Sequence, residues 1–154
     1  MLCVLTGMVN PFGHLAETYP LCYEDTPAYQ YYPSKERNLE YREGVYVGYR
    51  YYDTADVNVC YPFGYSLSYT AFSYKNLEIK ENGICFDIEN IGERDGEEVA
   101  QLYVGCTNGR VFRPEKQLKG FRKVWLKAGE QKCVNIPNPC SLMVMKVMQM
   151  CFGH

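Results

Sequence analysis

The sequence predicts a mainly β fold: an antiparallel β-sandwich preceded by an irregular, tyrosine-rich connector. Three observations carry this. From Phe72 onward, short apolar-alternating runs recur at regular spacing, with turn signals between them. Thirteen glycines and eight prolines are spread along the 154 residues, which suits strands and turns better than a helical bundle. Most of the fifteen tyrosines lie between Tyr29 and Tyr69, ahead of those runs.

Residues 1–20, MLCVLTGMVNPFGHLAETYP, begin with an apolar turn and break at Asn10-Pro11 and Gly13. So short a piece cannot build its own core. It reads as the tail of a helix whose partners lie elsewhere, with Met1 not the natural start of a domain. His14 has no Cys or acid at ligand spacing and is expected to be an ordinary loop residue. Pro20, Pro27 and Pro33 prevent a long helix across residues 21–40.

The stretch EGVYVGYRYYDTA, Glu43 to Ala55, follows. Val45, Val47 and Tyr49 alternate with Tyr46, Gly48 and Arg50, which predicts a strand covered on both faces. Arg50 is placed to stack on a ring or pair with a carboxylate. Tyrosines carry a large apolar face and one polar handle, so they suit a surface where two bodies meet. The block therefore reads as a connector that docks one domain onto another. Pro62-Phe63-Gly64 makes a turn, and Ser68 to Phe72 leads out of it.

The sandwich strands are expected at Tyr74–Lys80, Ile84–Ile91, Val99–Gly105, Gln117–Leu126 and Lys132–Ile136. Glu81-Asn82-Gly83 is a hairpin signal between the first two. Ile84, Phe86 and Ile88 share one face of the second, and Ala100, Leu102 and Val104 one face of the third. In the fourth, Leu118, Phe121, Val124 and Leu126 do not keep a period of two, and Gly120 is the expected place of a bulge. Five strands fall about two short of the usual seven of such sandwiches. Residues 138–154 do not supply them: four of the six methionines crowd into Met143 to Met150 with no turn residue between. This atypical Met-rich tail points to a truncation or a shifted reading frame near Pro137.

The formal net charge of −2 offers no electrostatic case for nucleic acid or an anionic membrane. No segment approaches the ~18 apolar residues of a membrane span, and the start lacks the basic n-region of a signal peptide. The eight cysteines form no C-x-x-C pair and no metal-ligand rhythm. Reduced thiols in a cytoplasmic protein are expected.

Three places in the sequence gather residue types that could carry chemistry. Glu93, Asp95, Glu97 and Glu98 around Arg94 lack the pocket of a glycosidase carboxylate pair and the spacing of a calcium loop, so a solvated turn is expected. Lys116, Lys119, Arg122, Lys123 and Lys127 read as a solvated basic face. Trp125, the single tryptophan, sits between Val124 and Leu126 and is expected to be packed rather than to serve as a sugar platform. There is no P-loop, G-x-G-x-x-G or G-x-S-x-G. No catalytic, cofactor-binding or metal residue is assigned, and no cofactor.

EGVYVGYRYYDTA with YPFGYSLSYTAFSY, then NIGERDGEEVAQLYV, then RPEKQLKGFRKVWLKAGE, resemble the C-terminal third of glycoside hydrolase family 3 enzymes of the bacterial β-glucosidase type. NPFGHLAETYP resembles the stretch that closes that family's α/β sandwich domain. The resemblance covers residues 1–136. It implies a parent enzyme with a (β/α)8-type barrel, an α/β sandwich and a C-terminal fibronectin type III-like domain, cleaving terminal β-linked sugars with retention. The nucleophilic Asp and the acid/base Glu of such enzymes lie upstream and have no counterpart here. Where the family carries glycine before Leu-Ser-Tyr, this chain has Ser66, which implies strain in a turn that favours positive φ.

The expected division is therefore residues 1–20 as the tail of an α/β sandwich domain, 21–69 as the connector, 70–137 as a fibronectin type III-like sandwich incomplete at its C-terminus, and 138–154 as the atypical tail. The expected role is a non-catalytic C-terminal fragment that braces the catalytic domains of the parent glycosidase and is inactive alone. A stand-alone sandwich binding carbohydrate or a protein partner is the alternative. Without the parent body, the tyrosine block is expected to be exposed.

Overall fold

A computed structural model of the chain describes residues 2–34, 37–38, 41–80, 83–105, 111–137 and the backbone of 146–147. The chain opens with one helical turn, α1 (Leu2–Leu5), followed by β1 (Tyr19–Pro20) and a 3-10 turn at Tyr23–Asp25. The helix α2 (Tyr49–Thr54) and β2 (Val59–Tyr61) come next, and β1 pairs antiparallel with β2 in a small two-stranded sheet. The strand expected across Val45–Arg50 is thus a turn leading into a helix. Its cause is the pair Gly44 and Gly48, both at φ +58, which breaks the extended path. Gly48 then caps α2, its carbonyl accepting from Tyr51 N–H (3.0 Å) and Tyr52 N–H (3.3 Å).

The rest is an antiparallel β-sandwich. Strands β3 (Phe72–Lys80), β4 (Gly83–Asn90) and β7 (Gln131–Pro137) form one sheet in the order β3-β4-β7. Strands β5 (Gly96–Gly105), β6 (Gln117–Leu126) and β8 (Lys146–Val147) form the other in the order β6-β5-β8. The five expected strands are all present, with β3 and β5 each starting a little earlier than the alternation suggested. The pairing Lys80↔Gly83 closes the expected hairpin, whose loop residues 81 and 82 lie outside the described residues. The Met-rich tail lies outside them too, except that Lys146 and Val147 pair with Gly105 and Val104. That adds a short strand where none was expected.

Both sheets supply the core: Ile84, Phe86 and Ile88 from β4, Ala100, Leu102 and Val104 from β5, Val124 and Leu126 from β6, Val134 and Ile136 from β7. Phe72 and Tyr74 of β3 pack against it. The broken period of β6 has two causes. Leu102 pairs with Gly120 but Tyr103 with Leu118, so Lys119 is the extra residue of a bulge beside the expected Gly120. Gly120 itself shares the inward parity of Val124, where a Cβ would lie 2.7 Å from Ile136 Cγ2. Trp125 corrects another expectation: it points outward and is 44% exposed, with Lys132 Nζ 5.6 Å above its ring. The only non-glycine positive φ values among the described residues belong to Asp56 and Asn76, so Ser66 carries no such strain.

Candidate functional site, a domain-facing surface

The outward residues of β5, Gln101 and Tyr103, are buried, and the connector supplies much of the cover. Tyr49 of α2 lies edge-on to Tyr103, ring centroids 5.8 Å apart, and beside Phe63 at 4.9 Å. Its hydroxyl accepts from Leu118 N–H at 2.8 Å, a donor freed where the bulge interrupts the ladder. Asp53 pairs with Lys116 at 3.2 Å, and Lys116 sits over the Tyr103 ring. Tyr103 donates to Gln101 Oε1 at 2.6 Å, and Gly64, at φ +84, passes so close to Gln101 that a Cβ would meet Oε1 at 2.5 Å. So the tyrosine block is not simply exposed: Tyr49 packs on this chain's own sandwich, and Tyr52 is buried.

The N-terminal segment is held to the same body by polar contacts. Asn10 accepts from Tyr69 N–H at 2.7 Å and donates to Asp95 O at 3.3 Å. Arg94 donates to Gly7 O at 2.9 Å, and Tyr69 donates through its hydroxyl to Val4 O at 2.9 Å. Fully buried Asn90 donates to Arg94 O at 2.7 Å and accepts from Thr70 Oγ1 at 2.6 Å. His14, expected as an ordinary loop residue, forms an isolated antiparallel bridge with Ser66 and reaches buried Glu98, which Tyr74 also contacts at 2.9 Å.

The acidic turn is therefore only partly solvated. Glu98 is buried, Asp95 Oδ1 accepts from Ala128 N–H at 2.9 Å, and Glu97 pairs with Lys123. The basic strand is likewise engaged: Lys123 lies over Phe12 at 4.2 Å, and Arg122 donates to Asn135 O at 2.9 Å. One signal was in the sequence: Glu97 and Lys123 are diagonal neighbours on the outward face, since Glu97 pairs with Trp125 and Val99 with Lys123. It could not be read before the register was known.

Many of the side chains left outward-facing on these two segments are apolar. Leu2, Leu5 and Met8 are 73%, 72% and 79% exposed on a backbone fixed by Arg94 and Tyr69. Leu21, Tyr23, Tyr32, Tyr41, Val45 and Val47 extend that surface along the connector. A cleft of about 440 Å³ opens beside it between Tyr31, Tyr46, Tyr51 and Phe112, and one of about 780 Å³ lies between α1 and residues 66–72. Side chains of this kind in such density mark a surface made to be covered. Among the described residues no three His, Cys, Asp or Glu side chains gather as metal ligands, and no helix is long and apolar enough to cross a membrane. The thiols of Cys3, Cys22, Cys60, Cys85 and Cys133 are free.

Comparison with known proteins accounts for this layout. A family described as the fibronectin type III-like domain matches residues 98–140. Thermostable β-glucosidase B of Acetivibrio thermocellus is 45% identical over 139 residues, covering 85% of this chain and 18% of that enzyme. The exo-α-(1→6)-L-arabinopyranosidase of Bifidobacterium longum is 41% identical over 138 residues, covering 86% and 18%. The crystal structure of the Bifidobacterium adolescentis family 3 β-glucosidase superposes with a TM-score of 0.82 at 40% identity, over 88% of this chain and 21% of that one. The chain thus spans about a fifth of the length of these proteins. By sequence and by fold, it belongs with the C-terminal, fibronectin type III-like part of glycoside hydrolase family 3 β-glucosidases.

Proposed function

We propose that the chain acts as a non-catalytic brace of a β-glucosidase-like glycoside hydrolase, docking through α1 and the connector onto catalytic domains that it does not itself contain. The observation that carries this reading is the pairing of a closed core with an open apolar flank. The sandwich buries its own aliphatic residues, while Leu2, Leu5 and Met8 stand exposed on a segment anchored through its main chain. An exposed apolar stripe on an otherwise ordered segment is stabilised by a partner body. On this reading residues 1–20 close an α/β domain, 21–69 connect, and 70–137 brace.

Sugar choice then lies outside the chain. A β-glucosidase and an arabinopyranosidase both match it over nearly the same 138 or 139 residues. The reaction of the whole protein would be hydrolysis of terminal glycosidic bonds, with both carboxylates supplied by the body.

Two measurements test this. The purified chain is expected to leave an aryl β-glucoside unhydrolysed; turnover that follows the polypeptide through successive columns would overturn the non-catalytic reading. A family 3 β-glucosidase truncated before its matching segment is expected to regain thermal stability when this chain is added in trans. Failure to bind that truncated enzyme would remove the bracing role.

A further inference from the structure

His14 and Glu98 meet where the N-terminal segment crosses the sandwich. The imidazole Nδ1 lies 2.7 Å from Gly64 O, a carbonyl that only accepts, so Nδ1 carries a proton. The other nitrogen, Nε2, faces Glu98 Oε2 at 3.4 Å, with the two side chains 8% and 7% exposed. Glu98 Oε1 already accepts from the Tyr74 hydroxyl at 2.9 Å. Nε2 has no other hydrogen-bond partner among the described residues.

With Glu98 as a carboxylate, these facts leave one arrangement that is not repulsive. With the tautomer fixed by Gly64, a neutral His14 would present a bare lone pair to a carboxylate oxygen, two acceptors facing each other away from water. A second proton on the ring turns that opposition into a charge-assisted contact. We propose that the His14–Glu98 pair is a proton-dependent latch, closed by the imidazolium, that fastens residues 10–18 to the sandwich.

The latch has few other inputs. β5 contributes Glu98, β3 contributes Tyr74 acting through Glu98, and the turn at 62–65 contributes only the Gly64 carbonyl. The neighbours of His14 in its own segment, Gly13 and Leu15, carry no charge. Burial alone pulls the imidazolium down, but the hydrogen bond and charge of Glu98, with the Gly64 carbonyl, outweigh it and raise His14 above its ordinary 6.5. A raised folded-state value gives stability that is complete below 6.5 and lost as pH rises through the folded value.

What the latch holds is a short ladder: Leu15 N–H donates to Tyr65 O at 2.9 Å and Gly64 N–H to Leu15 O at 2.8 Å. Release would loosen the stretch around Leu15, while Val4 and Gly7 keep their own anchors on Tyr69 and Arg94. This inference rests on geometry within the chain and stands whether or not the bracing role does.

The test uses the full chain, which has two histidines, His14 and His154. Imidazole NMR, assigned with His154→Gln, is expected to show His14 titrating above 6.5. Glu98→Gln supplies a fixed N–H donor to neutral Nε2 while its carbonyl still accepts from Tyr74, so it should hold the latch shut where His14 is neutral. Amide exchange at Leu15 is expected to run at least tenfold faster in the unaltered chain than in Glu98→Gln once His14 has lost its proton. A His14 that titrates at or below 6.5 overturns the proposal, as does identical Leu15 exchange in the two chains across the range. If Glu98→Gln does not fold, the titration of the unaltered chain decides alone.

Discussion

Tyr49 and Tyr103 meet edge to face at 83° across the boundary between connector and sandwich. One ring belongs to a helix that starts only because Gly48 turns the chain; the other belongs to the outward side of a central strand. The contact makes the connector part of the folded body rather than a tether. It also places the Tyr49 hydroxyl on Leu118 N–H, where the bulge has removed a ladder partner.

Removing that hydroxyl should leave Leu118 N–H short of an acceptor. Tyr49→Phe is expected to lower stability by about 1 kcal/mol, the usual net worth of such a bond. Tyr49→Ala should cost roughly 3 kcal/mol, because the ring contacts to Tyr103 and Phe63 go with it. Urea unfolding followed by circular dichroism measures both; no loss in Tyr49→Phe would show that the hydroxyl does nothing, and equal losses would show that the ring contacts do nothing.

Gly64→Ala should cost about 1–3 kcal/mol through backbone strain at φ +84 and the clash with Gln101 Oε1. Shortening the neighbour, as Gln101→Ser, removes the clash together with the acceptor of the Tyr103 hydroxyl, a loss that the single variant measures. A double-mutant cycle is expected to recover part of the loss and leave the strain. Full recovery would mean that positive φ is no burden here.

Asn90 has no exposed surface, and its amide satisfies Arg94 O, Thr70 Oγ1 and Gly92 N–H. Asn90→Ala is expected to destabilise by roughly 2–4 kcal/mol, since three groups lose a partner in a dry place. Arg94 moves with that turn, so amide exchange near Gly7 should rise as well. Unchanged exchange there would uncouple the turn from the N-terminal segment.

Neighbours on β6 should respond in opposite ways. Leu126, fully buried, is expected to lose about 2–5 kcal/mol on change to Ala. Trp125→Ala should cost less than about 1 kcal/mol, its ring being an outward residue that Lys132 only partly covers. The single tryptophan also reports directly: its emission should lie near that of a solvated indole and move little on unfolding. A blue-shifted native spectrum would place Trp125 inside.

An acid limb of the stability curve belongs to Glu130. The Lys127 N–H bonded to its carboxylate, with Lys132 beside it, holds its pKa below the ordinary 4.5. A lowered folded-state value gives stability that is present above 4.5 and fades as pH falls through the folded value. Glu130→Gln should therefore flatten the pH dependence of thermal unfolding below 4.5 and forfeit at neutral pH the stability that the carboxylate supplies there.

The sandwich was legible because its signal is local. A strand with one buried face writes Ile84, Phe86 and Ile88 at every second place, and no distant residue can hide that. The connector misled because Val45 to Arg50 alternates as a strand does, while two glycines outweigh the alternation. Trp125 misled for a related reason: apolar neighbours on both sides place a residue on the opposite face of a strand, not beside them. Asn10, His14, Asn90 and Glu98 were illegible as a group. Their partners lie up to 85 residues away in the chain, and nothing in a hydrogen bond's sequence neighbourhood announces its other end.

Arg94 and Tyr69 grip Gly7 and Val4 by their carbonyl oxygens, and a carbonyl is the same whatever side chain it accompanies. The attachment of the first turn is thus indifferent to the identity of the residues it carries. Leu2, Leu5 and Met8 can be exchanged for other side chains without loosening the mount that presents them. A lineage could therefore rewrite what this edge recognises while inheriting, unaltered, the fixture that holds it in place.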